Sequence, residues 1–351
     1  MSLRIALASS SDSDLRLLHR IIHGKQGNEI IWQSNNGMDV VQRVRLDAPD
    51  LLLMDLTLPV LSTAQATRQI MADFPCAILI VSPSLGHETQ AVAFDVLNAG
   101  ALDVLRHPLK GEDCARVLLE KIAHLDAFIH ATQKRSTLTT EVMAGGASRS
   151  TLLADRAKKG LLAIAASTGG PAAVVEVLKG LGAVIPWPVV VVQHVDQRFS
   201  RGLEHWLNEQ VPMPVVIAKV AAKLRAGTVY LASGHSHLII NARQTLDYQL
   251  NDKNLSFCPS ADIFFNSMVE HWQGNGVGVL LTGMGRDGAQ GLKHMRDHKW
   301  HTIAQDEATS KVYGMPKAAV RLNAAIEVLP LQHISLSLRQ KMGIKRAITR
   351  R

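Results

Sequence analysis

The chain has 351 residues, 47% of them hydrophobic and 19% charged, with a formal net charge of +8. That length exceeds one small core and predicts two domains of ordinary globular composition. Three scattered cysteines, Cys76, Cys114 and Cys258, give neither a disulfide framework nor zinc spacing and fit a reducing cytoplasm, and no run approaches the roughly 20 apolar residues of a membrane span.

The N-terminal stretch MSLRIALASSSDSD turns acidic too early for a signal peptide, so a cytoplasmic protein is expected. From there the sequence alternates strand-like and helix-like segments. RIALAS precedes a helical pattern over Asp14–His23, and EIIWQS precedes one over Met38–Leu46. LLLMDL leads to Thr63–Phe74, AILIVSP to Gln90–Ala99, and DVLRHP to Glu112–His124. Such alternation predicts a doubly wound parallel sheet, whose strands, buried on both faces, read as continuous apolar runs. Residues 1–124 form this first domain.

Residues 125–158 begin as a plausible extension of the last helix and then become rich in Ser, Thr, Ala and Gly, the composition of an interdomain linker. A second α/β domain is expected over residues 159–345, followed by a basic tail, 346–351. Its strand candidates are LLAIAAS, PVVVVQH, PVVIAKV, TVYLAS, HLIINA and VGVLLTG, with helices over Pro171–Lys179, Ser200–Glu209, Ala261–Trp272 and Asp287–His298. TVYLAS and HLIINA are too close for a helical crossover, so some strands are expected to be antiparallel.

Three polar residues close strands of this second domain. Ser167 follows LLAIAA, His194 follows PVVVVQ, and Asp287 follows VGVLLTG through Met284-Gly285-Arg286. In open α/β sheets the strand C-termini converge on one crevice, so nucleophile, base and orienting carboxylate could meet there. Each residue also has a plainer reading: Ser167 as a helix N-cap, His194 as a satisfied core histidine, Asp287 as an acid at the start of its own helix. The chain order Ser, His, Asp and the absence of a G-x-S-x-G elbow set the pattern apart from the α/β-hydrolases. Backbone N–H groups after Gly169-Gly170 and around Gly283-Met284-Gly285 are candidate donors to an oxyanion.

Five segments, IAASTGGP, VVQHVDQRFS, PSADIFFNS, LLTGMGRDGAQGL and IAQDEATSKVYGMPKAA, follow one another across residues 164–319. In order and spacing they resemble the signature segments of the chemotaxis protein-glutamate methylesterases, and the first domain resembles the response-regulator receiver that precedes the esterase in that family. The resemblance implies a flavodoxin-like receiver followed by a doubly wound α/β methylesterase domain. It places the catalytic serine, histidine and aspartate on Ser167, His194 and Asp287, with Thr168 and the backbone of Met284 supporting the oxyanion. The implied reaction is hydrolysis of glutamate 5-O-methyl esters on cytoplasmic chemoreceptor helices, releasing methanol, with deamidation of receptor glutamines by the same acyl chemistry. A chemotaxis histidine kinase is the implied second partner.

Two places depart from the family pattern. Where the family has a proline-glycine-histidine stretch, this chain reads Ser233-Gly234-His235-Ser236-His237. Alternate residues on a strand share a face, but the two histidines lack a third ligand, so a rim of the substrate groove is expected rather than a metal site. In the receiver, Asp55 matches the phosphoacceptor and Ser82 the switch hydroxyl. Ser9 and Ser10, however, stand where active receivers carry the acidic pair that binds magnesium, and His107 replaces the lysine before Pro108. Hydroxyls are poor magnesium ligands beside carboxylates. The expectation is a pseudo-receiver that binds magnesium poorly, with Asp12 or Asp14 as a substitute carboxylate only if the register shifts. No cofactor is expected elsewhere. The basic residues cluster only at Lys134-Arg135, Lys158-Lys159 and the tail, without a zinc-finger or RNA-binding motif, so no nucleic-acid partner is expected and an acidic protein suits the charge. The rival reading is a regulatory partner-binding protein with little hydrolase activity.

Overall fold

The computed structural model describes residues 2–23, 27–82, 87–106, 112–133, 159–195, 197–234, 236–251 and 258–344. His107, His235, the linker from residue 134 onward and the basic tail lie outside the described residues.

The N-terminal half runs β1 (Leu3–Ala8), α1 (Asp12–His23), β2 (Asn28–Ser34), α2 (Gly37–Leu46), β3 (Leu51–Met54), α3 (Thr63–Asp73), β4 (Ala77–Ser82), α4 (His87–Asn98), β5 (Asp103–Arg106) and α5 (Glu112–Gln133). Its five strands are parallel, in the order β2-β1-β3-β4-β5. Leu51 to Met54 are all fully buried, as a central parallel strand covered on both faces requires. On α1 the buried residues Leu15, Leu18 and Ile22 recur at helical spacing. Asn36 and Ser62 cap α2 and α3 by accepting the backbone N–H of Asp39 and Gln65. α5 continues nine residues past His124, to Gln133, because Leu125 is wholly buried and keeps one face of the helix in the core.

The C-terminal half contains β6 (Gly160–Ala166), α6 (Gly170–Leu181), β7 (Val189–Gln193), α7 (Ser200–Gln210), β8 (Val215–Ile217), β9 (Ala222–Lys223), β10 (Val229–Leu231), β11 (Ser236–Ile240), β12 (Thr245–Leu250), α8 (Ala261–His271), β13 (Asn275–Leu280), α9 (Ala289–Asp297), β14 (His301–Gln305), α10 (Met315–Arg321), β15 (Glu327–Leu329) and α11 (Leu331–Lys341). Seven strands form a parallel sheet in the order β15-β14-β13-β6-β7-β10-β8, and β11, β12 and β9 form a separate antiparallel sheet. The two segments too close for a crossover are therefore split between sheets. β10 stays parallel to β7, while β11 leaves the large sheet and pairs with β12. Winding from β6 proceeds first to β7 on one side and later to β13 on the other, so the C-terminal end of β6 is a topological switch point.

The two halves pack on each other. The Phe94 ring of α4 stacks on Trp206 of α7 at 5.6 Å and meets Phe199 edge-on at 6.4 Å. Leu118, Ile122 and Leu125 of α5 share an apolar cluster with Met284 and Val312. Among the described residues no helix is long and apolar enough to cross a membrane.

Candidate active site

Ser167 is the first residue beyond β6, at the switch point. Its N–H donates to the Thr282 carbonyl (3.1 Å) beyond β13, and the neighbouring His194 N–H donates to the Ala166 carbonyl (3.0 Å). The register pairs Ala166 with Gln193, so Ser167 and His194 leave adjacent strands side by side, about 4.8 Å apart in the hydrogen-bonding direction. The buried Gln193 amide donates to the carbonyls of both Ser167 (2.8 Å) and His194 (3.2 Å), tying the two loops together. Gly169 is the N-cap of α6, with no side-chain cap bond, so Ser167 is not an N-cap. Gly169 adopts φ +74°, a left-handed turn, and a Cβ there would lie 2.7 Å from Cβ of Lys311. Gly283 is equally constrained: its Cβ would lie 2.8 Å from that of Ser167.

His194 and Asp287 meet directly, Nε2 to Oδ2 at 2.7 Å, with both side chains at least nine-tenths buried. Asp287 does not start its own helix, because α9 begins at Ala289. Its carboxylate instead sits on the N-terminus of α8. Oδ2 accepts the Ala261 N–H (2.6 Å), and Oδ1 accepts the Ser260 hydroxyl (2.7 Å) and the Asp262 N–H (3.2 Å). Burial by itself would raise the Asp287 pKa. The bond and charge of His194, with the Ala261 and Ser260 donors, outweigh it and hold the carboxyl below its ordinary value. The carboxylate is thus fixed, ionised and aimed at imidazole.

His237 supports this arrangement from behind. It is buried, its Nδ1 accepts the Ser260 N–H (3.0 Å), and its Nε2 therefore carries the proton that faces Asn251 Oδ1 (3.1 Å). It lies under the start of α8 rather than on a groove rim. Nothing in the local sequence marks Ser260 or His237 for this role. Ser260 is visible only as the N-cap before an apolar helical pattern.

Asp262 carries the opposite shift to Asp287. Burial, reinforced by the Asp287 charge, pushes its pKa to about 6 against the Gly291 N–H that it accepts at 2.6 Å. A carboxyl raised in the fold lowers stability as pH rises from 3.8 to about 6, and leaves it constant above. Asp262→Asn, which keeps the acceptor, is therefore expected to gain on the parent across that window. Denaturant midpoints measured at both ends of the window check this: a difference that does not widen with pH contradicts it.

The oxyanion candidates share one further feature. Thr168 and Met284 are buried, and among the described residues neither backbone N–H donates a hydrogen bond. Buried N–H groups without acceptors are rare and suit a site that binds developing negative charge. The Thr168 hydroxyl is engaged by the N-terminal domain, donating to Asp103 Oδ2 at 3.1 Å, while Asp103 also pairs with Lys121. The Gly169 N–H donates to the Leu102 carbonyl at 2.9 Å. The segment after Ser167 is thus held by the start of β5, and Ser167 itself is 6% exposed.

In the N-terminal domain, Asp55 closes β3 and is 6% exposed, as is Asp14 on α1. Burial raises the Asp55 pKa, the Leu56 N–H at 2.7 Å lowers it, and the Asp14 charge raises it further. Asp14 therefore stands beside Asp55, where sequence alignment offers only Ser9 and Ser10. Two buried carboxylates of like charge are the donor chemistry that a hard dication takes.

Comparison with known proteins agrees with both halves. The CheB methylesterase family model matches residues 162–338 and the response regulator receiver domain model matches residues 7–118. The chain is 40% identical over 337 residues to the protein-glutamate methylesterase/protein-glutamine glutaminase of group 3 operon of Pseudomonas putida, covering 95% of this chain and 97% of that one. It is 41% identical over 346 residues to protein-glutamate methylesterase/protein-glutamine glutaminase 2 of Cupriavidus metallidurans, covering 97% and 99%. The Thermotoga maritima CheB methylesterase catalytic domain superposes with a TM-score of 0.50 at 30% identity, covering 52% of this chain and 98% of that structure.

Proposed function

The chain belongs to the CheB methylesterase family, with a receiver domain at its N-terminus, and from that premise we propose that Ser167, His194 and Asp287 are its nucleophile, base and orienting acid. The protein is a protein-glutamate methylesterase and protein-glutamine glutaminase of chemotaxis-type signalling. The observation that carries the residue assignment is the His194–Asp287 pair, at 2.7 Å, set beside Ser167 at the switch point of the sheet.

The chemistry follows from the geometry. Asp287 occupies Nε2 of His194, so the proton of the Ser167 hydroxyl passes to Nδ1 as the oxygen attacks the ester carbonyl. The Thr168 and Met284 N–H groups donate to the oxyanion of the tetrahedral intermediate. Imidazolium gives its proton to the departing methoxide, releasing methanol, or to the departing amide nitrogen of a glutamine, releasing ammonia. Water then repeats the sequence on the acyl-enzyme and yields glutamate. The substrates are the cytoplasmic helices of chemoreceptors, and the receiver's partner is a chemotaxis histidine kinase.

For the receiver the proposed role is gating by contact. The bonds from Leu102 and Asp103 to Gly169 and Thr168 hold the loop after the nucleophile. Asp14 and Asp55 are the residues that would hold a magnesium ion, which would offset charge on a phosphoryl group. With one carboxylate in place of the usual pair and His107 in place of lysine, Asp55 accepts phosphate slowly or not at all. Asp103→Ala in the full chain is expected to raise methanol release severalfold, while Asp55→Asn changes it less than about twofold. Unchanged activity in Asp103→Ala contradicts the gating role. Stable, magnesium-dependent phosphorylation by acetyl phosphate that requires Asp55, seen by intact mass, contradicts the pseudo-receiver.

A further inference from the structure

Beside the catalytic loop lies an open cleft of about 670 Å³, built wholly from the C-terminal domain. Arg286 enters it from the loop after β13, Gln290 from α9, and Lys317 and Arg321 from α10. Lys317 and Arg321 are four residues apart and share one face of α10, a like-charge spacing that weakens a helix unless something neutralises it. Among the described residues, none of the three cations has an ion-pair partner, although the chain pairs its other surface charges repeatedly. The single acid lining the cleft among the described residues, Asp262, already accepts the Gly291 N–H. Three cations therefore face one carboxylate, and the imbalance belongs to a site that awaits an anion.

The position of the cleft says which anion. The start of α10 is fastened to the catalytic loop, since the Gly314 and Met315 N–H groups donate to the Gly283 carbonyl at 3.1 and 2.9 Å. Gly283 touches Ser167, and Arg286 follows three residues later, so its Cα lies within about 11 Å of that of Gly283. A polypeptide with its scissile side chain at Ser167 would pass neighbouring side chains across these cations. Among the described residues no aromatic side chain lines the cleft, so these residues offer no platform for stacking bases.

We propose that Arg286, Lys317 and Arg321 form a carboxylate-binding cleft that recognises acidic side chains flanking the scissile group of a polypeptide substrate. The proposal rests on the esterase reading above and deepens it by naming a specificity determinant. Planar guanidinium groups suit bidentate carboxylate recognition, and long cationic side chains on one helix face can follow acids spaced along a substrate helix.

The test uses the full chain and three peptides, each carrying one glutamyl methyl ester flanked by glutamates, by glutamines or by lysines. Binding is followed by fluorescence polarisation in a Ser167→Ala background, which prevents turnover. The glutamate-flanked peptide is expected to bind about tenfold more tightly than the glutamine-flanked one, a preference that fades at about 1 M salt, where the screening length falls to about 3 Å. Lys317→Glu/Arg321→Glu should lose that preference and gain one for the lysine-flanked peptide, an outcome that misfolding does not produce. Equal binding of the first two peptides by the Ser167→Ala parent overturns the proposal, as does a preference untouched by the charge swap. So does displacement of the acidic peptide by a single-stranded oligonucleotide at lower concentration than by unlabelled peptide. Methanol release by protein with Ser167 intact separates the two readings. Equal hydrolysis of the glutamate- and glutamine-flanked peptides upholds the esterase and overturns the cleft, whereas selective binding without methanol upholds the cleft and contradicts the esterase.

Discussion

Ser167→Ala is expected to abolish methanol release while leaving the fold intact. The substitution removes one hydroxyl from a position whose backbone is fixed by Thr282 and Gln193, and among the described residues that hydroxyl makes no hydrogen bond and caps no helix. Loss of the nucleophile in a serine hydrolase removes a factor of about 10⁶ in kcat, leaving only the rate from binding and oxyanion donors. The thermal midpoint and circular dichroism spectrum should match the parent. Turnover within about a hundredfold of the parent by folded Ser167→Ala protein contradicts the serine mechanism.

Asp287→Asn comes second in magnitude and tests orientation against structure. An asparagine can accept through one atom only, whereas Asp287 accepts four bonds through two. Its amide group would face His194 Nε2, already a donor, or the N–H groups of α8, and would favour the wrong imidazole tautomer. The corresponding change in a serine protease costs about 10⁴ in kcat, and a loss of at least about a hundredfold is expected here. Because the same carboxylate caps α8, the variant should also lose stability, by about 1–2 kcal/mol. Ser260→Ala separates the effects. It deletes the cap bond from the Ile263 N–H and one of the donors to Asp287, leaves the His194 contact in place, and should lower stability by about 1 kcal/mol with little change in rate. If Asp287→Asn loses less than tenfold in rate, another group orients His194.

Legibility in the sequence followed the kind of signal each residue leaves. Parallel strands buried on both faces, such as Leu51–Met54 and the four valines Val189–Val192, appear as unbroken apolar runs and were readable without any partner. Ser167, His194 and Asp287 each end or follow such a run, and the order of their segments supplied the rest. The short strands β9, β12 and β15 left no such trace, since half-exposed or two-residue strands carry too few positions for a period to show. Asp14 was legible only as one of two substitutes, Asp12 or Asp14, that a register shift would bring in. Alignment counts positions along the chain, but α1 turns its first carboxylates through space, and one of them reaches Asp55 from beyond the loop where the acidic pair belongs. His237 and Asp103 are long-range partners of the site, and nothing local distinguishes them from an ordinary strand histidine and a strand-start acid.

In the gating role proposed above, the bond from the Gly169 N–H to the Leu102 carbonyl sets the receiver against the substrate for one stretch of backbone. The competitor is covalently attached, so its effective concentration is fixed by the tether and does not change when the protein is diluted. Substrate affinity is then the intrinsic affinity multiplied by the fraction of molecules whose receiver is off the loop. Dense substrate arrays would therefore open the enzyme by mass action alone, and a chain that receives no phosphoryl signal would still respond to how much methylated target surrounds it.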